Sequence, residues 1–336
     1  MMRSAYLVGP KSIEIKEITP PALAPGQIGT EVQYCAICGS DLHMWEHGEP
    51  HLAMGHEFSA KVTDPGDSDF QIGDRVVFFC GVPCYACDMC LQGKHHLCRS
   101  FWVDDYTGIN IDGGMAETYV GLAKYAYKLP DHVSDQAGAM VEPTAVAYHA
   151  VNQAGMKLGA KVLVVGGGII GQLIGAMAAR AGAAYIALSE INPQRMASAQ
   201  KAGGFDAYFD AADPDQVAKM MAATNGGFDV VFECTAVLGG YMTSLLAAKP
   251  DSQVVFVGAP SGLVPILSIL IVTKELHVVG SIAYSLQDYQ DVIAMIAKDF
   301  DPVRYVTDIV PLEDTQKSFE RLASGNDPAI KILIKP

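Results

Sequence analysis

The stretch KVLVVGGGIIGQLIGAMAARAG, residues 161–182, constrains the fold of this chain more than any other part of it. An apolar run of strand length leads into Gly166-x-Gly168-x-x-Gly171, and a run of helical length follows. Glycine strings alone are common, but between a strand and a helix each of these three has its own task. The first permits a tight turn, the second lets the backbone approach a pyrophosphate, and the third lets the helix pack close to the strand. The helix start offers free N–H groups and the positive end of its dipole to phosphates. Gly166, Gly168, Ile169, Ile170 and Gly171 are therefore candidate dinucleotide contacts.

The following strand, YIALSE, ends at Glu190. A carboxylate there can accept both ribose hydroxyls of an adenosine half and would repel a 2′-phosphate, which favours NAD over NADP. Arg195, five residues on, is set to reach a phosphate or to stack on adenine. Strands and helices keep alternating from 145 to 285, through FDVVFECTA and SQVVFVGA to ELHVVGSIAY. Continuous apolar strands separated by helices predict a doubly wound parallel sheet. Cys234, Val257 and Gly258, at the ends of two of these strands, complete the candidate cofactor set.

The texture before residue 145 is different. Short alternating runs (IGTEVQYCAICGSD, FSAKVTDPGD, QIGDRVVFF, GGMAETYV and YAYKLP) are punctuated by Gly, Pro and Asp. They predict short strands of a mostly β, antiparallel, barrel-like domain over 1–144. The tail, 286–336, reads as two helices and a final strand, IKILIKP, that returns to pair with that first domain.

At 336 residues the chain has room for two such domains and for cores that need no disulfides. Its net charge is −14, and it has no basic run, which argues against nucleic acid and against an anionic membrane surface. The N-terminus lacks an apolar signal region, and the longest apolar stretch, GLVPILSILIVTKEL, is too short to span a bilayer and holds a proline. A cytoplasmic setting is expected, where thiols stay reduced.

In that setting, PCYACDMCLQGKHHLC is a metal motif before it is a disulfide one. Cys84, Cys87, Cys90 and Cys98 make a closed tetrahedral thiolate set, which suits structural zinc, with an iron–sulfur cluster as the alternative. His95 and His96 compete for the same ion only if a cysteine is left out. A second constellation mixes donor types: Cys38 with Ser40 and His43 in AICGSDLHMW, His56 and Glu57 in MGHEFSA, and Glu142 in AMVEPTAVAYH. Three mixed ligands and one open position describe a catalytic zinc. Spacing alone does not choose between that and ordinary polar and core residues. Cys35 and Cys80 read as packing, and His149 as packing or helix surface. Phe101, Trp102 and Tyr106 line either a substrate cleft or a subunit contact.

Taken in order, CGSDLHMWEHG, GHE, GDRV, PCYACDMCLQGKHHLC, VEP, GGGIIG and FECTA resemble the zinc-dependent medium-chain alcohol dehydrogenases, most closely the sorbitol or polyol branch. The resemblance covers essentially the whole chain. It implies a GroES-like catalytic domain that includes the tail, a Rossmann cofactor domain over 145–285, NAD, and two zinc ions per chain. It casts Cys38 and His56 as catalytic zinc ligands, with Glu57 or Glu142 as the exchangeable third. It casts Ser40 as the hydroxyl that bonds the substrate oxygen and His43 as the far end of a proton relay. It also implies a homo-oligomer, a tetramer before a dimer. The chain departs from the polyol branch where Ala283 and Tyr284 replace an Arg-Tyr pair, and where Met44 replaces a tyrosine. The expected reaction is oxidation of a secondary alcohol to a ketone. The alternatives are an amino-alcohol dehydrogenase and a non-catalytic nucleotide-binding protein.

Overall fold

A computed structural model describes residues 1–49 and 51–336. In chain order the strands are β1 (Met2–Gly9), β2 (Ser12–Ile18), β3 (Gln27–Ala36), β4 (Glu57–Asp64), β5 (Arg75–Phe78), β6 (Thr118–Leu122), β7 (Ala126–Lys128), β8 (Lys161–Val165), β9 (Tyr185–Glu190), β10 (Ala207–Asp210), β11 (Phe228–Glu233), β12 (Ala248–Phe256), β13 (His277–Gly280), β14 (Asp308–Pro311) and β15 (Ile332–Lys335). The chain divides into two compact units, Met1–Ala145 with Tyr284–Pro336, and Val146–Ala283.

The first unit is built on a seven-stranded sheet ordered β14-β15-β3-β4-β5-β7, with β6 also on β3. Its pairs are antiparallel except β14 with β15, which run parallel. The C-terminal strand does come back: Leu333 faces Ala36 and Ile334 faces Cys35 on β3. The core beneath the sheet joins early and late residues, with Trp45, Met54, Phe58, Phe78, Phe319, Ile332 and Ile334 in one cluster. Phe58, Phe78 and Tyr119 meet with ring centroids 4.8–5.6 Å apart. Each such aromatic pair adds about 0.5–1.5 kcal/mol beyond area burial.

One segment differs from its sequence expectation. CGSD does not continue the strand run; it opens a helix, Gly39–His47. Cys38 is the extended residue before it, and the Asp41 carboxylate accepts the Cys38 N–H at 2.8 Å. That cap, satisfying a donor the helix start leaves open, turns strand into helix. SILIVTK, within the long apolar stretch, is a short helix, Ser268–Lys274, with no buried residue.

The second unit is one six-stranded parallel sheet ordered β10-β9-β8-β11-β12-β13. Its strands are nearly continuous apolar runs; four of the five residues of β8 are buried. The order runs outward in both directions from β8 and β11, which pair with Glu233 opposite Val165. A sheet that reverses order leaves a crevice at the carboxyl ends of those two strands, where ligands of such folds bind. Gly166 follows β8 there and Cys234 follows β11.

Candidate functional site

In the first unit, helix cap, strand start and buried tail bring donors from distant segments together. The sulfur of Cys38, a ring nitrogen of His56 and a carboxylate oxygen of Glu57 lie within 4.8 Å of one another. Cys38 is half-buried, whereas His56 and Glu57 are buried. Gly55, before them, has φ +99°, and a β-carbon there would sit 2.5 Å from the Cys35 sulfur. That is the physical reason for glycine in GHE. Glu142 is not in this close trio. It is buried in the first turn of the helix Val141–Gln153, near enough to feel the charges of His56 and Glu57. Burial pushes its carboxyl up to about 7, with His56 pulling it down and Glu57 pushing it further up.

Sequence reasoning missed two residues that complete the centre. Lys331, just before β15, is fully buried, forms an ion pair with Glu57 and donates to the Ile37 carbonyl at 2.9 Å. Asp41 lies 3.7 Å from His56 Nδ1 through its second oxygen. At that distance the pair is a charge contact and not a hydrogen bond; it sets negative charge behind Nδ1 and leaves Nε2 on the Ser40 side. The C-x-x-D spacing of a helix cap was the available signal for Asp41. Nothing local marks Lys331.

The electrostatics suit a dication. Burial alone would lower the His56 pKa, but Asp41, Cys38 and Glu142 outweigh it and hold the imidazole well above its ordinary value. The acidic surround thus opposes the effect of burial on the ring, and Lys331 is raised in the same way against its own burial. One thiol, one imidazole and one carboxylate at this spacing could hold a metal ion, and they match the donor types of catalytic zinc sites. Ser40 Oγ lies 3.4 Å from His56 Nε2, and His43 is exposed on the same helix. One wall is aromatic. Tyr106 meets His56 edge-on at 6.1 Å, and Trp102 stacks on Tyr106 at 4.9 Å.

The four-cysteine lobe is a second donor set. Its sulfurs also lie within 4.8 Å of one another. Four sulfurs about 2.3 Å from one zinc stand roughly 3.8 Å apart, so the set fits the ion. N–H groups of Cys84 and Cys87 point at sulfur, 3.3 Å from Cys98 and Cys84 respectively. Against its burial, N–H groups of Cys84 and Ser100 hold Cys98 down to about 6. All eight cysteines are free thiols.

In the second unit, a cavity of about 350 Å³ is lined by Gly166, Gly168, Glu190, Arg195, Cys234, Thr235 and Gly240 among others. Ile169, Ile170, Gly171, Val257 and Gly258 are not among its lining residues. Gly171 serves packing: a β-carbon there would land on the Gly166 carbonyl oxygen. Ile169 and Ile170 open the helix Ile169–Arg180. The N–H groups of Val257 and Gly258 both bond the Glu233 carbonyl at 2.9 Å. The Glu190 carboxylate is turned inward more than the sequence suggested. It accepts the N–H groups of Gly167 at 2.6 Å, Ile191 at 2.8 Å and Asn192 at 2.7 Å. These bonds pin its charge at the cleft. Asn192 caps the next helix through the N–H groups of Gln194 and Arg195, and so sets Arg195 on the same wall.

Comparison with known proteins agrees with this geometry. Residues 24–131 match the alcohol dehydrogenase GroES-like domain, and residues 170–298 match the zinc-binding dehydrogenase domain. The chain is 31% identical to a probable D-xylulose reductase A of Aspergillus fumigatus, over 98% of this chain and 96% of that one. It is 30% identical to the sorbitol dehydrogenase of Bos taurus, over 99% and 95%. Its structure matches the crystal structure of 2R,3R-butanediol dehydrogenase from Bacillus subtilis with a TM-score of 0.89, at 30% identity and full coverage of both chains. Relatives matched end to end, both domain models, and a mixed thiol–imidazole–carboxylate centre lead to one assignment: the chain belongs to the zinc-dependent medium-chain alcohol/polyol dehydrogenase family and is an oxidoreductase of secondary alcohols.

Proposed function

We propose that this chain oxidises one secondary hydroxyl of a small, uncharged diol or polyol to a ketone, with NAD as hydride acceptor and two zinc ions per chain. The convergence of Cys38, His56 and Glu57 within 4.8 Å carries the reading. Cys38, His56 and Glu57 would hold the catalytic ion, with Glu142 beside them, and Cys84, Cys87, Cys90 and Cys98 the structural one. Held there, a zinc ion would supply Lewis acidity to a substrate hydroxyl. NAD supplies the hydride acceptor.

The chain's own groups do the rest. Asp41 sets negative charge behind the His56 ring. Ser40 takes the hydroxyl proton, and His43, exposed on the same helix, passes it to solvent. The Trp102–Tyr106 wall shields the reacting carbon from water. Lys331 has no exposed surface, so it is not placed to grip a carboxylate or phosphate substrate. That supports an uncharged substrate, while Ala283 in place of the arginine of the polyol branch argues against sorbitol itself. The pinned charge of Glu190 supports NAD over NADP.

A homo-oligomer, a tetramer before a dimer, is part of the proposal. Leu263, Leu267, Ile269 and Val272 support it, each more than half exposed on or just before the helix Ser268–Lys274. So is a cytoplasmic site, supported by eight unpaired thiols. Among the described residues, no helix is long and apolar enough to cross a membrane.

The test is NADH formation across butanediols, pentitols, hexitols, their phosphates and threonine, with zinc content measured on the same sample. Neutral vicinal diols or polyols should turn over fastest, on about two zinc per chain. Turnover of sugar phosphates or threonine alone would overturn the substrate class, and one zinc per chain would overturn the two-site reading.

A further inference from the structure

Glu233 has no part in the mechanism above, yet it is the most enclosed carboxylate of the second unit, with no exposed surface. It is the last residue of β11, at the point where the crevice opens. Its carboxylate folds back onto the turn that follows. Oε1 accepts the Thr235 N–H at 2.7 Å and the Thr235 hydroxyl, and both oxygens share the Ala236 N–H at 3.2 Å. The Thr235 hydroxyl in turn accepts the Val237 N–H at 3.3 Å. Ala236 sits at φ +60°, a conformation its β-carbon resists. The turn is thus held against its own backbone preference by one buried anion.

Two glycines from elsewhere in the unit keep room for that anion. A β-carbon on Gly240 would overlap the Thr235 hydroxyl and Glu233 Oε1, and one on Gly258 would sit 2.7 Å from Oε2. The turn matters because Cys234, Thr235 and Val237 line the same cavity as Gly166 and Glu190. The Thr235 methyl also stands 2.8 Å from where a Gly166 β-carbon would be. We infer that Glu233 is a positioning residue for the dinucleotide: its carboxylate shapes the Cys234–Val237 wall against which the cofactor seats, without touching it. The inference rests on reading this cleft as the NAD site.

The test titrates NADH into the full-length protein by its fluorescence, for wild type, Glu233→Gln, Gly240→Ala and Thr235→Val. A glutamine keeps the size but sets a donor against the Ala236 N–H. Gly240→Ala keeps Glu233 and displaces it. Both should raise the Kd for NADH about tenfold or more, and Thr235→Val by less. The loss should fall on cofactor affinity and cofactor KM, while the KM for the alcohol stays put. If Glu233→Gln does not fold, Gly258→Ala, whose β-carbon would press on Glu233 Oε2 from outside the cavity lining, decides in its place: a raised Kd supports the role and an unchanged one overturns it. Wild type that fails to bind NADH would overturn the cleft reading itself. Wild type that binds while Gly240→Ala and Glu233→Gln bind as tightly overturns the role of Glu233. So does a fall in thermal stability with no change in Kd.

Discussion

The first unit carries two metal-type clusters built in opposite ways. The four cysteines of the lobe span fifteen residues of sequence, 84 to 98, and offer one kind of donor. The second cluster draws on residues 38 to 41, 56 to 57, 142 and 331 and mixes thiol, imidazole and carboxylate. The lobe's sulfurs are steadied by backbone N–H groups, so the loop and the ion can order each other. The mixed cluster is steadied by charge: Asp41 behind His56, Lys331 on Glu57, Glu142 nearby. A closed set of like donors suits structure. An open set within a ring of charges and beside a serine suits chemistry.

The comparison breaks most visibly on paired substitutions. Cys38→Ser should cut kcat by roughly 10³-fold or more, the several kcal/mol a catalytic metal supplies, and lower the zinc content by one. Cys98→Ser should also lose one zinc and lower the thermal midpoint, yet leave kcat per folded chain near wild type. If both fall alike in kcat, the division of labour is wrong.

Lys331→Met tests the charge support directly. It strands a buried carboxylate, a change that costs roughly 3–5 kcal/mol. Chemical denaturation should show that loss in protein stripped by chelator and a smaller one with zinc present, since the ion would replace the ammonium as partner. Equal losses in both states would mean that Glu57 is not part of the metal set. Asp41→Asn should act more gently, with zinc affinity or activity down about 10–100-fold and the fold intact, as for partners that orient a ligand. Unchanged zinc affinity would remove Asp41 from the centre.

The smallest effect lies away from both clusters. Arg321 grips Asp327 at 2.9 Å and holds its carboxyl below the ordinary value of 3.8. A lowered carboxyl pKa contributes stability above the unfolded value, and that stability drains away as pH falls through the folded one. Asp327→Asn should cost less than about 1 kcal/mol at pH 7, as partly exposed pairs do. The difference from wild type should shrink once pH drops below 3.8. A difference that grows on acidification contradicts the ion-pair account.

How much of this was readable depended on sequence distance. The parallel sheet was readable because its strands are continuous apolar runs and the glycines sit between strand and helix. The lobe was readable because each ligand is within a loop's length of the next. The helix Gly39–His47 was not, because one capping carboxylate overrode a strand-like run. Neither was the inward turn of Glu190, since three backbone N–H groups occupy both oxygens of a carboxylate the sequence had assigned to ribose.

By itself the sequence determined the fold class, the cofactor turn, the four-sulfur lobe and the donor types of the second centre, all of which follow from local periodicity and short spacings. Only the tertiary structure decided that Glu57 rather than Glu142 closes the trio with Cys38 and His56. It alone decided that Lys331, almost three hundred residues from Ile37, donates to its carbonyl, and that the Glu233 carboxylate gathers the N–H groups of Thr235 and Ala236. The physical reason is that burial creates these roles: a charge acquires its partner only where the fold excludes water, and no local pattern records which distant residue will be there.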